Sequence, residues 1–255
     1  MYPFIHIGPL TLGSYGLMVA IGLICAFFIL RADFARRGVS ADAEAIIGIT
    51  GLAGLAGSRV YHLLESPREF FADPWPQLFS TMGFAFVGAI IGGFLALVLL
   101  AKRFRISPLL MLDSSSPAAA IGYGIGRIGC LISGDGDYGI PTSLPWGMSF
   151  PNGIVPTTER VHPTPVYEFL VAALIAWILW RLGARCMKTH APNGIILAAY
   201  LVLTGIARFL VEIIRINPRS FYGLTNAQAA SVVSIFAGVA LFIYSRKAPR
   251  QQIRA

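Results

Sequence analysis

Charge is what this sequence has least of. Only 13% of its 255 residues are charged, and acidic side chains are the scarcer sign, 12 against 20 Lys and Arg. A soluble domain carries about 25% charged residues, a polar shell that this chain cannot supply. Cysteine is scarce too. Cys25, Cys130 and Cys186 lie far apart, with neither disulfide nor metal-ligand spacing, so no metal or other cofactor is expected. Residues 1–12 hold no Lys or Arg, which speaks against the charged leader of a cleavable signal peptide and makes the first apolar run a permanent helix. Without that leader, Gly22-Leu23-Ile24-Cys25 is not read as a lipid-attachment site. No internal repeat or low-complexity tract is visible, and the short alternating segments of a membrane barrel are missing.

What is present is apolar: 56% of the residues are hydrophobic and the mean hydropathy is +0.69. A bilayer core about 30 Å thick takes about 20 apolar residues as helix. Seven stretches qualify: residues 13–31, 44–64, 83–101, 108–133, 164–181, 193–214 and 226–244. The fold class expected is therefore an all-α integral membrane protein, one domain over 1–255 with seven transmembrane helices and a small extracytoplasmic head. The fourth stretch is interrupted by Asp113, Ser114-Ser115-Ser116 and Pro117, and Pro117 is expected to kink or split its helix. Residues 134–163, rich in Gly, Pro and Asp, read as a structured cap.

The basic residues set an orientation. Arg31, Arg36, Arg37, Lys102, Arg103, Arg105, Arg181, Arg185, Lys188, Arg246, Lys247, Arg250 and Arg254 fall on one side, against Arg68, Arg160 and Arg219 on the other. The positive-inside rule makes the richer side cytoplasmic, the N-terminus external and the C-terminus cytoplasmic. The net charge of +8 is thus an orientation signal and not a nucleic-acid footprint. Small-residue strings such as Gly51-x-x-Gly54-x-x-Gly57 and Gly88-x-x-x-Gly92 read as close helix packing. Gly124-Ile-Gly126-Arg127-Ile-Gly129 fits a dinucleotide fingerprint only formally, since no strand precedes it.

Four arginines remain in or at the edges of spans: Arg59, Arg127, Arg208 and Arg215, with Glu168 and Glu212 in the same class. A charge near mid-membrane costs about 2.5 kcal/mol or more, so each marks a candidate site. Arg208, Glu212 and Arg215 share one helical face, which suits Glu212 as an internal partner. One glutamate does not neutralise four cations. The expectation is that an anion is missing and that a phospholipid phosphate supplies it, because arginine's forked donors fit phosphate oxygens.

A series of motifs in fixed order resembles bacterial prolipoprotein diacylglyceryl transferases. It comprises Ser14-Tyr15-Gly16-Leu17-Met18, Gly57-Ser58-Arg59-Val60-Tyr61 and Gly126-Arg127-Ile128-Gly129-Cys130 through Asp135 to Tyr138-Gly139. Pro145-Trp146-Gly147-Met148-Ser149-Phe150-Pro151, His162-Pro163-Thr164-Pro165-Val166-Tyr167-Glu168 and Ala207-Arg208 through Glu212 to Arg215 complete it. The resemblance implies a seven-helix enzyme of the bacterial inner membrane. Such an enzyme moves the diacylglyceryl group of phosphatidylglycerol to the lipobox cysteine of a prolipoprotein and releases glycerol phosphate. It further implies that Arg127 and Arg208 hold the lipid phosphate, that Tyr15 and Gly139 lie near it, and that Glu212 and Arg215 brace it. Arg59 is grouped with these as lipid-binding. Many members of the family that this chain resembles carry His-Gly-Gly where it has Val87-Gly88-Ala89, and the resemblance implies an asparagine where it has Cys130 and a glutamate where it has Asp135. The Gly134–Gly139 segment is one residue longer than usual.

The base for the acceptor thiol stays open: His162 titrates in the right range, while Asp135 and Asp137 read as solvated loop carboxylates or as groups that bind the acceptor, with Asp135 counted among the catalytic candidates. Tyr15 is either an interfacial aromatic or a reacting hydroxyl. The expected partners are phosphatidylglycerol and a prolipoprotein signal peptide or another acceptor, such as a glycan or a lipid. Pro117 and the broken fourth stretch leave a non-catalytic lipid-binding or transport protein as the remaining alternative.

Overall fold

Long apolar runs closed by basic residues become helices that end in those residues. In the computed structural model, which describes residues 2–79, 83–220 and 222–247, the element order is β1 (Phe4–Ile7), β2 (Leu10–Gly13), α1 (Ser14–Arg37), α2 (Ala43–Glu65), α3 (Pro67–Ala72), α4 (Pro74–Phe79), α5 (Phe86–Arg103), α6 (Pro108–Ser133), β3 (Met148–Phe150), β4 (Thr157–Val161), α7 (Thr164–Lys188), α8 (Ile195–Glu212) and α9 (Asn226–Lys247). Each of the seven expected stretches overlaps one long helix. Among the described residues five of these, α1, α5, α7, α8 and α9, are long and apolar enough to cross a membrane. This is a mostly helical protein built as an integral membrane protein is. α2 and α6 are equally long, but α2 carries Arg59 and His62, and α6 carries Asp113, three serines and Arg127. The last turns of α1, α5, α7 and α9 all hold basic residues, which also favours the negative end of each helix dipole. Arg250 and Arg254 lie outside the described residues.

The chain divides into two compact units, residues 1–33 with 113–255, and residues 34–112. In the second unit α2 packs closely on α5. A Cβ on Gly57 would come within 2.5 Å of the Gly88 carbonyl oxygen, and one on Gly92 would collide with the Ala53 carbonyl. Backbone lies on backbone there, so the glycine strings serve packing, as expected. Arg59 works inside this unit: its guanidinium donates to the Gly83 carbonyl at 2.9 Å and lies over the Phe84 ring. With Ser58 Oγ donating to the Ala85 carbonyl, it ties α2 to the entry of α5.

In the first unit the chain opens with a hairpin, β1 on β2, registered Phe4↔Gly13 and His6↔Thr11 around Gly8, whose φ is +59°. The Tyr2 N–H donates to the Ile132 carbonyl, and Ser14 donates through both N–H and Oγ to Pro3. The start of α1 is thereby fixed beside the end of α6. This hairpin and the β3–β4 hairpin, paired Met148↔Val161 and Phe150↔Thr157, are small additions to the all-α expectation. Two strands of this length fold only when the neighbouring helices supply the packing that an isolated hairpin lacks. Residues 134–163 hold turns and the β3–β4 pair. Phe150 is buried and stacks on Tyr138, while Arg160 donates to the carbonyls of Leu144, Pro145 and Gly147.

Pro117 does not split its helix. α6 runs unbroken from Pro108 to Ser133, and residues 111–118 are all buried. Surrounding protein on every side leaves no water to receive backbone groups that a break would free. Asp113, expected as an interruption, is a cap. Its Oδ2 accepts the Gly194 N–H and its Oδ1 the Leu197 N–H, both at 2.7 Å, at the start of α8. The carboxylate thus meets orphan amides at the positive end of a helix dipole. Asp113→Ala should cost about 3 kcal/mol, because two buried amides lose a charged acceptor together. Thermal unfolding in detergent would show it, and an unchanged midpoint would contradict this role.

Candidate active site

Four elements of the first unit bring their charges to one place. Tyr123 and Arg127 stand one turn apart on α6, Glu168 is in the second turn of α7, and Arg208 and Glu212 lie at the end of α8. Arg215 follows just beyond α8, and Asp137 comes from the loop between α6 and β3. Glu168, 4% exposed, is the hub. Its Oε1 accepts from the Tyr123 hydroxyl at 2.6 Å and from Arg208 at 2.8 Å. Its Oε2 accepts from Arg127 Nε at 2.9 Å and from Arg215 at 3.2 Å. Asp137 bridges two guanidiniums, one carboxylate oxygen on Arg127 and the other on Arg215. Glu212, fully buried, lies 3.0 Å from Arg208 as a charge contact and not an aligned hydrogen bond. Its other oxygen accepts from Asn217 at 2.5 Å.

This arrangement corrects the expectation of a missing anion. Among the described residues Arg127, Arg208 and Arg215 face Glu168, Glu212 and Asp137, three cations against three carboxylates. Charge spacing along the spans does not reveal Glu168 as the shared partner of three arginines, or Asp137 as the loop carboxylate that joins two of them. Arg59, grouped with this set in the sequence, has its described contacts within the other unit. Tyr123 and Asn217 were not singled out at all. The position of Tyr123 four residues before Arg127 was the one available hint.

Gly139 owes its place to a close approach. A Cβ there would lie 2.6 Å from the Ile214 carbonyl oxygen and 2.9 Å from His162 Cβ. The Gly139 N–H donates to the His162 carbonyl, the Ile140 N–H donates to the Ile214 carbonyl, and Gly139 pairs with Arg215 as an isolated bridge. The loop is therefore held against the chain leaving α8, where Arg215 stands. Tyr15, half exposed, packs on α6 at Gly129 and lies within electrostatic reach of Arg127, Cys130, Asp135 and Asp137.

His162 turns to aromatic partners. Its Nδ1 lies 3.2 Å from the Tyr167 hydroxyl, which also accepts from Trp146 Nε1 at 2.8 Å. Asp135 is closer to the cluster. It hydrogen-bonds the Cys130 thiol and accepts the Asp137 N–H. Burial pushes the Asp135 carboxyl above its ordinary value, offset only in part by the Cys130 hydrogen bond. Burial also opposes ionisation of Asp137, but Arg127 and Arg215 outweigh it and hold that carboxyl below the usual range. Two adjacent carboxyls are thus driven apart, one towards a base and the other towards a permanent anion. Cys130, Asp135 and Asp137 offer ligand atoms within 4.8 Å of one another, a spacing open to a metal. Asp137, however, already gives both oxygens to guanidiniums.

The fold and the cluster together define a helical protein of membrane type whose charged site is built from three arginines and three carboxylates. The comparisons narrow it. Residues 3–244 match the family model described as prolipoprotein diacylglyceryl transferase. The chain belongs to that family of transferases. A relative from Clostridium tetani, named phosphatidylglycerol–prolipoprotein diacylglyceryl transferase, is 32% identical over 93% of this chain and 94% of its own. One of the same name from Chromohalobacter salexigens is 32% identical over 98% and 94%. A relative from Clostridium perfringens, named phosphatidylglycerol–prolipoprotein diacylglyceryl transferase 2, is 30% identical over 95% of this chain and 94% of its own. The apolar helices and the bacterial family fit a multi-pass protein of the inner membrane.

Proposed function

We propose that this chain transfers the diacylglyceryl group of phosphatidylglycerol to the lipobox cysteine of prolipoproteins and releases glycerol phosphate. The observation that supports the reading best is the arginine trio on Glu168, donors preset where negative charge develops as the lipid's phosphate departs. The acceptor sulfur forms a bond to the glyceryl carbon, and the carbon–oxygen bond to phosphate breaks with its electrons on the oxygen. Arg127 and Arg208, with Arg215 beside them, receive that charge. Asp135 takes the thiol proton, since burial raises its affinity for protons and the loop holds it beside Cys130 and Asp137. His162 and Tyr167 position the β3–β4 segment, Tyr15 lines the approach to Cys130 and Asp135, and Arg59 holds the entry of α5. All seven long helices cross the membrane as one domain, with residues 134–163 as the outer cap, the N-terminus outside and the C-terminus cytoplasmic.

The test is purified protein with phosphatidylglycerol and a lipobox peptide, scored for peptide mass gain and for glycerol phosphate. Both signals are expected. One feature favours a different acceptor, a glycan or another lipid: the family resemblance implies a histidine where this chain has Val87, and a hydrocarbon side chain cannot handle a thiol proton. Glycerol phosphate without peptide modification would establish that alternative. Bound lipid with neither product would return the protein to lipid binding or transport.

A further inference from the structure

Among the three carboxylates of the cluster, Asp137 is unlike the others. Its side chain is 30% exposed, against 4% for Glu168 and 0% for Glu212. It comes from a loop and not from a helix. Its two oxygens are divided between two guanidiniums, one on Arg127 and one on Arg215. That is how the two free oxygens of a phosphodiester would be received on the same pair. The backbone of Asp137 is held independently of this contact. Its carbonyl accepts from Thr164 Oγ1 at 2.6 Å, and its N–H donates to Asp135. The side chain can therefore turn away about its own χ1 while the loop stays in place.

Charge balance decides what happens when an anion enters. The cluster holds three cations and three carboxylates. A phosphodiester added to it would leave one uncompensated negative charge in a poorly solvated site, where such a charge is strongly disfavoured. A phosphodiester that exchanges for Asp137 keeps the balance, and the displaced carboxylate reaches water because it is already the most exposed of the three. We infer that Asp137 is an internal placeholder for the phosphate ester of the substrate, occupying the seat between Arg127 and Arg215 until the ligand displaces it. The inference rests on the proposed transfer reaction for the identity of the ligand.

The seat takes a phosphate ester, whether on the lipid or on the released glycerol phosphate, and the two sources are separable. Wild type, Asp137→Asn and Asp137→Ser, purified in detergent, are titrated with phosphatidylglycerol in mixed micelles, with diacylglycerol as the phosphate-free control, and separately with glycerol phosphate. Removing the competing carboxylate should tighten binding of at least one phosphate ester about tenfold, the worth of one charge-assisted contact, and leave diacylglycerol unchanged. Tightening for phosphatidylglycerol alone places the seat in the path of the incoming lipid. Tightening for glycerol phosphate alone assigns it to the departing product. Unchanged or weaker binding of both esters, in whichever variant keeps the wild-type unfolding midpoint, overturns the inference. Wild-type protein that binds neither ester would instead count against the transfer reaction itself.

Discussion

Replacing Glu168 by glutamine is expected to lower the stability of the protein by about 3–5 kcal/mol, the loss seen when one partner is removed from a buried ion cluster. The carboxylate receives Tyr123, Arg127, Arg208 and Arg215 together. Glutamine keeps the shape but offers an amide nitrogen, a donor turned towards donors. Three guanidiniums would then share Glu212 and Asp137, and Glu212 is already engaged with Asn217. For a chain of this size the unfolding midpoint should fall by roughly 10 °C. Tryptophan fluorescence on heating in detergent reads it directly. Transfer should be lost with it, because the arginines no longer have a fixed common anchor. A Glu168→Gln variant that melts with wild type would remove the hub from this account.

Arg127→Ala should have the opposite profile, a large effect on turnover and a smaller one on stability. Without Arg127, Glu168 keeps Arg208 and Arg215, and Asp137 keeps Arg215, so every carboxylate retains a partner and the surplus charge falls on Asp137, the most exposed of the three. What disappears is one preorganised cation facing the departing phosphate, worth about 10²–10³ in rate where such donors have been removed from other sites. Arg127→Lys restores the charge but not the fork, and it should recover only part of the rate. Arg208→Ala is expected to behave like Arg127→Ala. Steady-state release of glycerol phosphate measures all three. Wild-type turnover in Arg127→Ala would remove that side chain from the reaction.

These two residues also show how differently the parts of the site can be read from a linear chain. Arg208, Glu212 and Arg215 announce themselves by spacing, because helical periodicity alone puts them on one face. Arg127 stands out because its surroundings are apolar. Glu168 could be noticed for the same reason, yet not as the group that serves three arginines. Asp137 looked like any solvated loop carboxylate. Its partners are Arg127, ten positions away, and Arg215, which lies 78 positions further along. No local pattern encodes a contact over such a distance. Asp113 was misread as an interruption for the same reason, since the amides that it caps are more than 80 residues away.

The helices, their approximate limits and their basic ends were legible in the amino-acid order, because transfer of an apolar segment from water is a local free energy that sums along consecutive residues. The glycine contacts between α2 and α5 were legible too, since small residues one turn apart announce close approach whatever the partner. Which charges neutralise one another was settled in three dimensions. Coulomb energy in a low dielectric depends on separation in space and ignores separation along the chain, so an arginine trio that looked short of an anion proved to be balanced from within.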